Sequence, residues 1–218
     1  GSPVTASIRH STIVQNEADL NQDDAFNSNG GGINLRRLTD LSLANTIIAD
    51  NIDHTGAGPV YDDIYLNNIA APQNSTISSE GTNFIGANNT LTLSDFPSGN
   101  PNVNFDYVGT AGSKLSPNLE SYADNGGPTK TLLPTAAGNL VDKGSCAAEP
   151  YDQRGFGNID TQLRLVDISA TANGSGSDGC DIGAVELSAE LLLPTTNTES
   201  STCFPIRTAN GKAAIVCM

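Results

Sequence analysis

An all-β chain wound as a solenoid of parallel strands, a parallel β-helix, is the fold class this sequence predicts, on three observations. The segments Ile8-Arg9-His10-Ser11-Thr12-Ile13-Val14-Gln15-Asn16 and Leu43-Ala44-Asn45-Thr46-Ile47-Ile48-Ala49-Asp50-Asn51 repeat one pattern, matching Ile8 with Leu43, Ser11 with Thr46 and Ile13 with Ile48. A short β-rich unit that recurs across turn residues is how coils sharing one core appear in a sequence. Trp is absent and aromatics make up 5% of the 218 residues, so the interior must be built from Ile, Leu, Val and Ala in thin layers. Long runs at helical period are missing; Ser188 to Leu193 is the one stretch that suits a turn or two of helix.

Residues 4–16 read as strand, turn, strand. Glu17 to Asn29 is a polar excursion, after which Gly30-Gly31-Gly32-Ile33 allows tight backbone turns. Leu41 and Leu43 alternate inward, Asn45 turns the corner, and Ile47 to Ile48 resumes the strand. His10 holds the corner equivalent to Asn45. Asn at matching corners tolerates left-handed backbone and can hydrogen-bond along the stack. Asp63 to Leu66 and Asn83 to Gly86 are shorter strand candidates.

Beyond about Leu93 the repeat becomes irregular. Phe96 to Pro101, Asp124-Asn125-Gly126-Gly127-Pro128 and Gly174 to Gly179 are turns and loops by composition. The resulting division is β-helix coils over 1–101 and terminal coils with an irregular cap over 102–187, the cap closing the exposed strand edges of the last coil. A linker at 188–202 and a C-terminal hairpin at 203–218 complete it. Asn210-Gly211 between two apolar runs is a hairpin signal, and residues equidistant from it include Cys203 and Cys217. A hairpin alone is marginal in water, so this one should be disulfide-stapled, docked, or both.

The formal charge of −14 argues against nucleic-acid binding, which needs clustered Lys and Arg. Four cysteines allow three connectivities; the sequence-local pairs Cys146–Cys180 and Cys203–Cys217 are preferred, and they place the chain outside the cytoplasm. No CxxC occurs and His10 and His54 lie far from the cysteines, against zinc. No signal peptide or membrane span is read. Gly1-Ser2 leads straight into a repeat, so further coils are expected upstream.

Five motifs occur in order: Asn45-Thr-Ile-Ile-Ala-Asp-Asn51, Gly81-Thr-Asn-Phe-Ile-Gly86, Asp124-Asn-Gly-Gly-Pro-Thr129, Asp152-Gln-Arg-Gly155 and Cys180-Asp-Ile-Gly-Ala-Val-Glu186. Over residues 4–187 the chain thereby resembles the C-terminal part of bacterial secreted right-handed parallel β-helix proteins of the choice-of-anchor Q type. Phe26-Asn-Ser-Asn29 before the glycines is similar to one repeat of polymorphic outer-membrane adhesins. The resemblance implies a secreted or surface-exposed protein with a sorting or anchor element after the domain, and no shared catalytic residues. Family members often carry an Asp-Gly-Asp-Gly run suited to calcium, whereas Asp167 to Asp178 here has Gly-Ser-Gly-Ser and fewer carboxylates.

Candidate chemistry is thin. No GxSxG elbow accompanies the two histidines. Gly174-Ser-Gly-Ser-Asp-Gly179 matches GxGxxG but leads into a strand-like segment where a dinucleotide site needs a helix. The adjacent acids Asp62 and Asp63 would point to opposite sides of a strand. Asn74, Asn88 and Asn173 open formal glycosylation sequons, read as turn residues. Oxygen-rich loops suit calcium, with Asp167, Asn173 and Asp178 as candidate ligands; no other cofactor is implied. Asp152, Arg154, Asp181 and Glu186 are expected to form a structural charge pairing that ties the cap together.

The expected function is a non-enzymatic extracellular or cell-surface module for adhesion, display or fibre assembly. The alternative is a carbohydrate-active β-helix, either a polysaccharide lyase or hydrolase or a polysaccharide-binding module. Expected partners are a protein or a surface polysaccharide, with self-association through the open β-helix end or the tail hairpin. Nucleic acid and direct membrane insertion are not expected.

Overall fold

The computed structural model describes residues 4–21, 30–54, 60–67, 74–88, 91, 96–146, 149–156, 164, 167–168, 170–187, and the backbone of 203–207 and 213–217. The Ser188 to Leu193 helix, the linker at 188–202 and the Phe26 repeat motif lie outside the described residues. Among those described, the regular elements are strands: β1 (Val4–Arg9), β2 (Thr12–Val14), β3 (Glu17–Ala18), β4 (Ile33–Arg36), β5 (Thr39–Ala44), β6 (Ile47–Ala49) and β7 (Ile52–Asp53). They continue as β8 (Val60–Tyr61), β9 (Ile64–Asn67), β10 (Thr76–Ser79), β11 (Phe84–Ile85), β12 (Tyr107–Val108), β13 (Cys203–Arg207) and β14 (Ala213–Cys217). None of them is a helix long and apolar enough to cross a membrane.

The look-alike segments lie side by side, parallel and in register, with Ile8 opposite Leu43 and Ile13 opposite Ile48. The spacing is 35 residues at Asn16 and Asn51, then 36 at Asp40 and Thr76 and 37 at Thr46 and Asn83. Parallel sheets β1-β5-β10 and β2-β6-β11-β12 result, with β4-β9 and β3-β7 beside them; β8 adds to β7 antiparallel. The arrangement is all-β and compatible with a β-solenoid. Strands β10 and β12 were not readable from sequence: β10 is polar apart from Ile77, and β12 consists of two residues.

Alternation along each strand divides the apolar residues between two faces. Leu41, Leu43, Ile48, Ile77, Ile85 and Val108 fill the interior, with Ile8 and Ile13 packed at its edge. Ile47, Ala49, Phe84 and Tyr107 point the other way and are buried against Leu140 and Ile182, with Leu115 and Leu119 packed alongside. The C-terminal region therefore lies along the side of the β2-β6-β11-β12 sheet. At the end of that sheet a turn returns Gly99 to the free edge of β12, exchanging Gly99 N to Val108 O (2.9 Å) and Val108 N to Gly99 O (2.7 Å). A local turn thus covers the end of that sheet, while the described residues around Leu140 and Ile182 form a lateral layer. Gly183 shows how close this layer approaches: a Cβ there would collide with the Ile47 side chain.

Corners repeat with the coils. His10, Asn45 and Thr82 occupy successive equivalent positions at φ +46°, +47° and +54°, and Gln15 and Asp50 form a second series at +57° and +56°. Left-handed backbone is costly for L-residues, above all for β-branched Thr82, and persists only where the stack imposes it. Beside the corners runs a side-chain ladder. Asn51 Oδ1 accepts from Asn16 N and Nδ2 (3.1 and 2.9 Å), and Asp63 Oδ1 accepts in turn from Asn51 N and Nδ2 (3.0 and 2.9 Å). Likewise Asn83 Oδ1 accepts from Thr46 N (3.1 Å), and Asp106 Oδ1 accepts from Asn83 N and Nδ2 (2.8 and 3.0 Å). Each series ends on an aspartate. Burial raises both: Asp63, like neighbouring Asp62, is pushed up to about 6, with hydrogen bonds opposing at Asp63, and Asp106 is raised as well.

Strand β13 pairs antiparallel with β14 and sets Cys203 opposite Cys217. The expected bridge between them concerns side chains outside the described residues.

Two outcomes follow from this packing. Because both faces of β6 are buried, Ile47→Ala and Ile48→Ala should each cost about 2–5 kcal/mol in denaturant titrations. A strand buried on one face would show one near-neutral substitution. Because Asp62 and Asp63 have folded values above their unfolded ones, their contribution is full below about pH 4 and is lost as pH rises through about 6. The melting temperature should fall between about pH 4 and 6.5, and Asp62→Asn should shrink that fall.

Candidate functional site

Where the lateral layer meets the start of the first coil, two depressions join. The larger, about 540 Å³, is lined by His10, Ser11, Thr12 and Ile13 on one side and Tyr151, Asp152 and Gln153 on the other, with Arg164 and Ala184 between them. The second, about 320 Å³, shares Thr12, Gln153 and Ala184 and extends to Tyr122, Thr129 and Lys130. Irregular pairing positions its far wall: Ala123 and Thr131 exchange backbone hydrogen bonds of 3.1 and 2.9 Å in an antiparallel bridge, which sets Tyr122 across from Leu132. Thr12 Oγ1 accepts from Ala184 N (3.1 Å) and joins the coil to the layer.

The floor is a buried charge network. Asp152 Oδ2 accepts from Arg154 Nε and Nη2 (2.9 and 2.7 Å), and its Oδ1 accepts from Arg154 N and Phe156 N (2.8 and 3.1 Å). Arg154 Nη2 also donates to Glu186 O (2.6 Å). Arg164 is fully buried, donating Nε to Glu186 Oε1 and Nη2 to Gly183 O, both at 2.6 Å. Glu186 Oε2 accepts from Asp181 N (2.9 Å), and Asp181 accepts from Asp142 N (2.8 Å) and Leu187 N (2.5 Å). Burial raises Asp181 and Glu186, with Arg164 opposing in both cases.

Of the four residues expected to tie the cap together, Arg154 takes the carboxylate of Asp152 and only the backbone oxygen of Glu186. The Glu186 carboxylate belongs to Arg164, which sequence reasoning missed. An arginine flanked by Leu163 and Leu165 was the available signal. Asp181 holds backbone amides and contacts neither guanidinium in the described hydrogen bonds.

His10 is fixed by its neighbour. Asn45 Oδ1 accepts from Ser145 N (3.2 Å), so its Nδ2 is the donor, to Asp181 O (2.9 Å) and to His10 Nδ1 (3.0 Å). Nδ1 must then be the acceptor, which places the proton of a neutral imidazole on Nε2. Burial first, then the nearby Arg164, lowers the pKa of His10 and favours the same neutral form.

The disulfide Cys146–Cys180 is formed, with Cα atoms 5.8 Å apart. It fits an oxidising compartment. Asp178 turns its carboxylate to Cys146 N (3.0 Å to Oδ2) and Cys180 N (3.2 Å to Oδ1). Its grouping with the two sulfurs offers no thiolate to a metal, because the sulfurs are bonded to each other. Asp167 and Asn173 flank Gly179 instead. Asp178, of the set expected for calcium, is thus engaged by two backbone amides. No family model, curated protein or solved structure matches the chain.

Removing Arg164 leaves Glu186 buried without its cation. Arg164→Met should cost about 3–5 kcal/mol in equilibrium unfolding and make stability fall more steeply with rising pH than in the parent protein.

Proposed function

We propose that the chain is a right-handed β-helix module of a secreted or surface-attached protein, acting by presenting surface for adhesion, display or assembly rather than by turning over a substrate. The observation that carries this reading is the state of the ionisable groups at the groove. General acid–base work needs a group within reach that can gain or lose a proton. The Nε2 of His10 already carries a proton, its Nδ1 is engaged by Asn45, and both oxygens of Asp152 are held by Arg154 and backbone amides. Arg164 is taken up by Glu186 Oε1 and Gly183 O. What is left is a set of fixed donors and acceptors on a rigid wall, which suits recognition. The Cys146–Cys180 bridge supports service outside the cell, where a disulfide persists.

A labelled sample of the protein incubated with an insoluble extracellular-matrix or cell-wall preparation should be retained while releasing no new reducing ends and no unsaturated sugars. Release of either product would replace this reading with that of a carbohydrate-active enzyme.

A further inference from the structure

We infer that the joined groove binds a glycan chain, an assignment that rests on the surface-presenting reading and names its ligand class. Extent is the first argument. Depressions of about 540 and 320 Å³ adjoin at Thr12, Gln153 and Ala184, and together they offer room for more than one sugar unit.

The lining is the second. Each depression has a solvent-open tyrosine on its wall, Tyr151 at 58% and Tyr122 at 65% exposure. An exposed aromatic ring offers a flat apolar face with a polar tip, and the C–H face of a pyranose is its natural complement. The same two linings include Ser11, Thr12, Thr129 and Gln153, hydroxyls and an amide that both donate and accept, as sugar hydroxyls do. The Gln153 amide is already aimed along the trough, with Nε2 donating to Thr129 Oγ1 at 3.2 Å.

Electrostatics is the third. In a chain of net charge −14, the one carboxylate among the described residues lining the trough is Asp152, and it is held by Arg154. Lys130 supplies a cation at one end. Neutral sugars are therefore accepted without unpaired buried charge, and uronate-bearing sugars are not repelled.

The test is titration of the intact chain with a neutral glucan and with a uronate-containing polysaccharide, read by calorimetry or affinity electrophoresis. Saturable binding of either kind is expected, and Tyr122→Ala and Tyr151→Ala should each weaken it roughly five- to tenfold. Both residues are exposed, so these variants keep the fold, which circular dichroism checks. Tyr61→Ala, removing an exposed aromatic on β8, should bind as the parent does. Binding of neither polysaccharide, or binding indifferent to Tyr122 and Tyr151, overturns the assignment. Retention on the matrix preparation with no glycan binding would sink the groove alone, whereas product release would sink the surface-presenting reading itself.

Discussion

Each coil is held to the next by a side-chain oxygen that receives the corner amide of its neighbour, and the rest of the molecule depends on that contact staying in register. In the middle of a series the residue must accept an amide from the coil before it and donate as well, which an amide side chain does and a carboxylate does not. Asn51 and Asn83 fill those places. At the end of a series the need to donate disappears, and Asp63 and Asp106 stand there. Their raised affinity for protons is the consequence of putting an acceptor-only group where water is excluded. Slipping the stack by one residue would break every rung and turn the interior isoleucines outward, so the ladder and the apolar alternation enforce the same register.

The lateral layer follows from the other face of the same strands. Ile47, Phe84 and Tyr107 would form an exposed apolar stripe if nothing covered them. Covering them requires a segment that comes very close, which explains Gly183 against Ile47 and Gly144 against Asn45 and Asp181. The covering segment has few regular backbone hydrogen bonds of its own. Carboxylates take up its amides instead: Asp142 accepts from Ile168 N, Asp181 from Leu187 N, Glu186 from Asp181 N and Asp152 from Glu186 N. Two arginines offset part of that buried charge. Such a network adds little net stability over an apolar core, yet it admits far fewer alternative packings.

The repeat was legible because inward and corner positions recur at nearly constant spacing: Ile8 with Leu43, Ile13 with Ile48 and His10 with Asn45 were all paired from the sequence. Matching Asn positions pointed to the ladder, and local cysteine spacing to the Cys146–Cys180 bridge. The lateral layer was not legible. Its segments have no period, and that Ile47 and Ile48 are buried on opposite faces cannot be told from two adjacent isoleucines. Arg164 escaped for a related reason. Sequence distance gives no hint that it meets Glu186, and the motifs grouped Glu186 with Asp152, Asp181 and Arg154 alone.

The groove and the disulfide, distant in sequence, meet at Asn45. Its Oδ1 receives Ser145 N and its Nδ2 donates to Asp181 O, and these two contacts immediately flank Cys146 and Cys180. Gly144 N donating to Cys180 O (2.7 Å) closes the same clamp. The bridge thus holds together the two segments that fix which way the Asn45 amide points. That orientation in turn decides which nitrogen of His10 carries its proton. A corner residue whose counterpart merely turns the chain becomes, in the first coil, a hydrogen-bond donor of fixed sense facing the groove. The sense of that donor is set from behind, by the contacts of Ser145 and Asp181 in the docked layer.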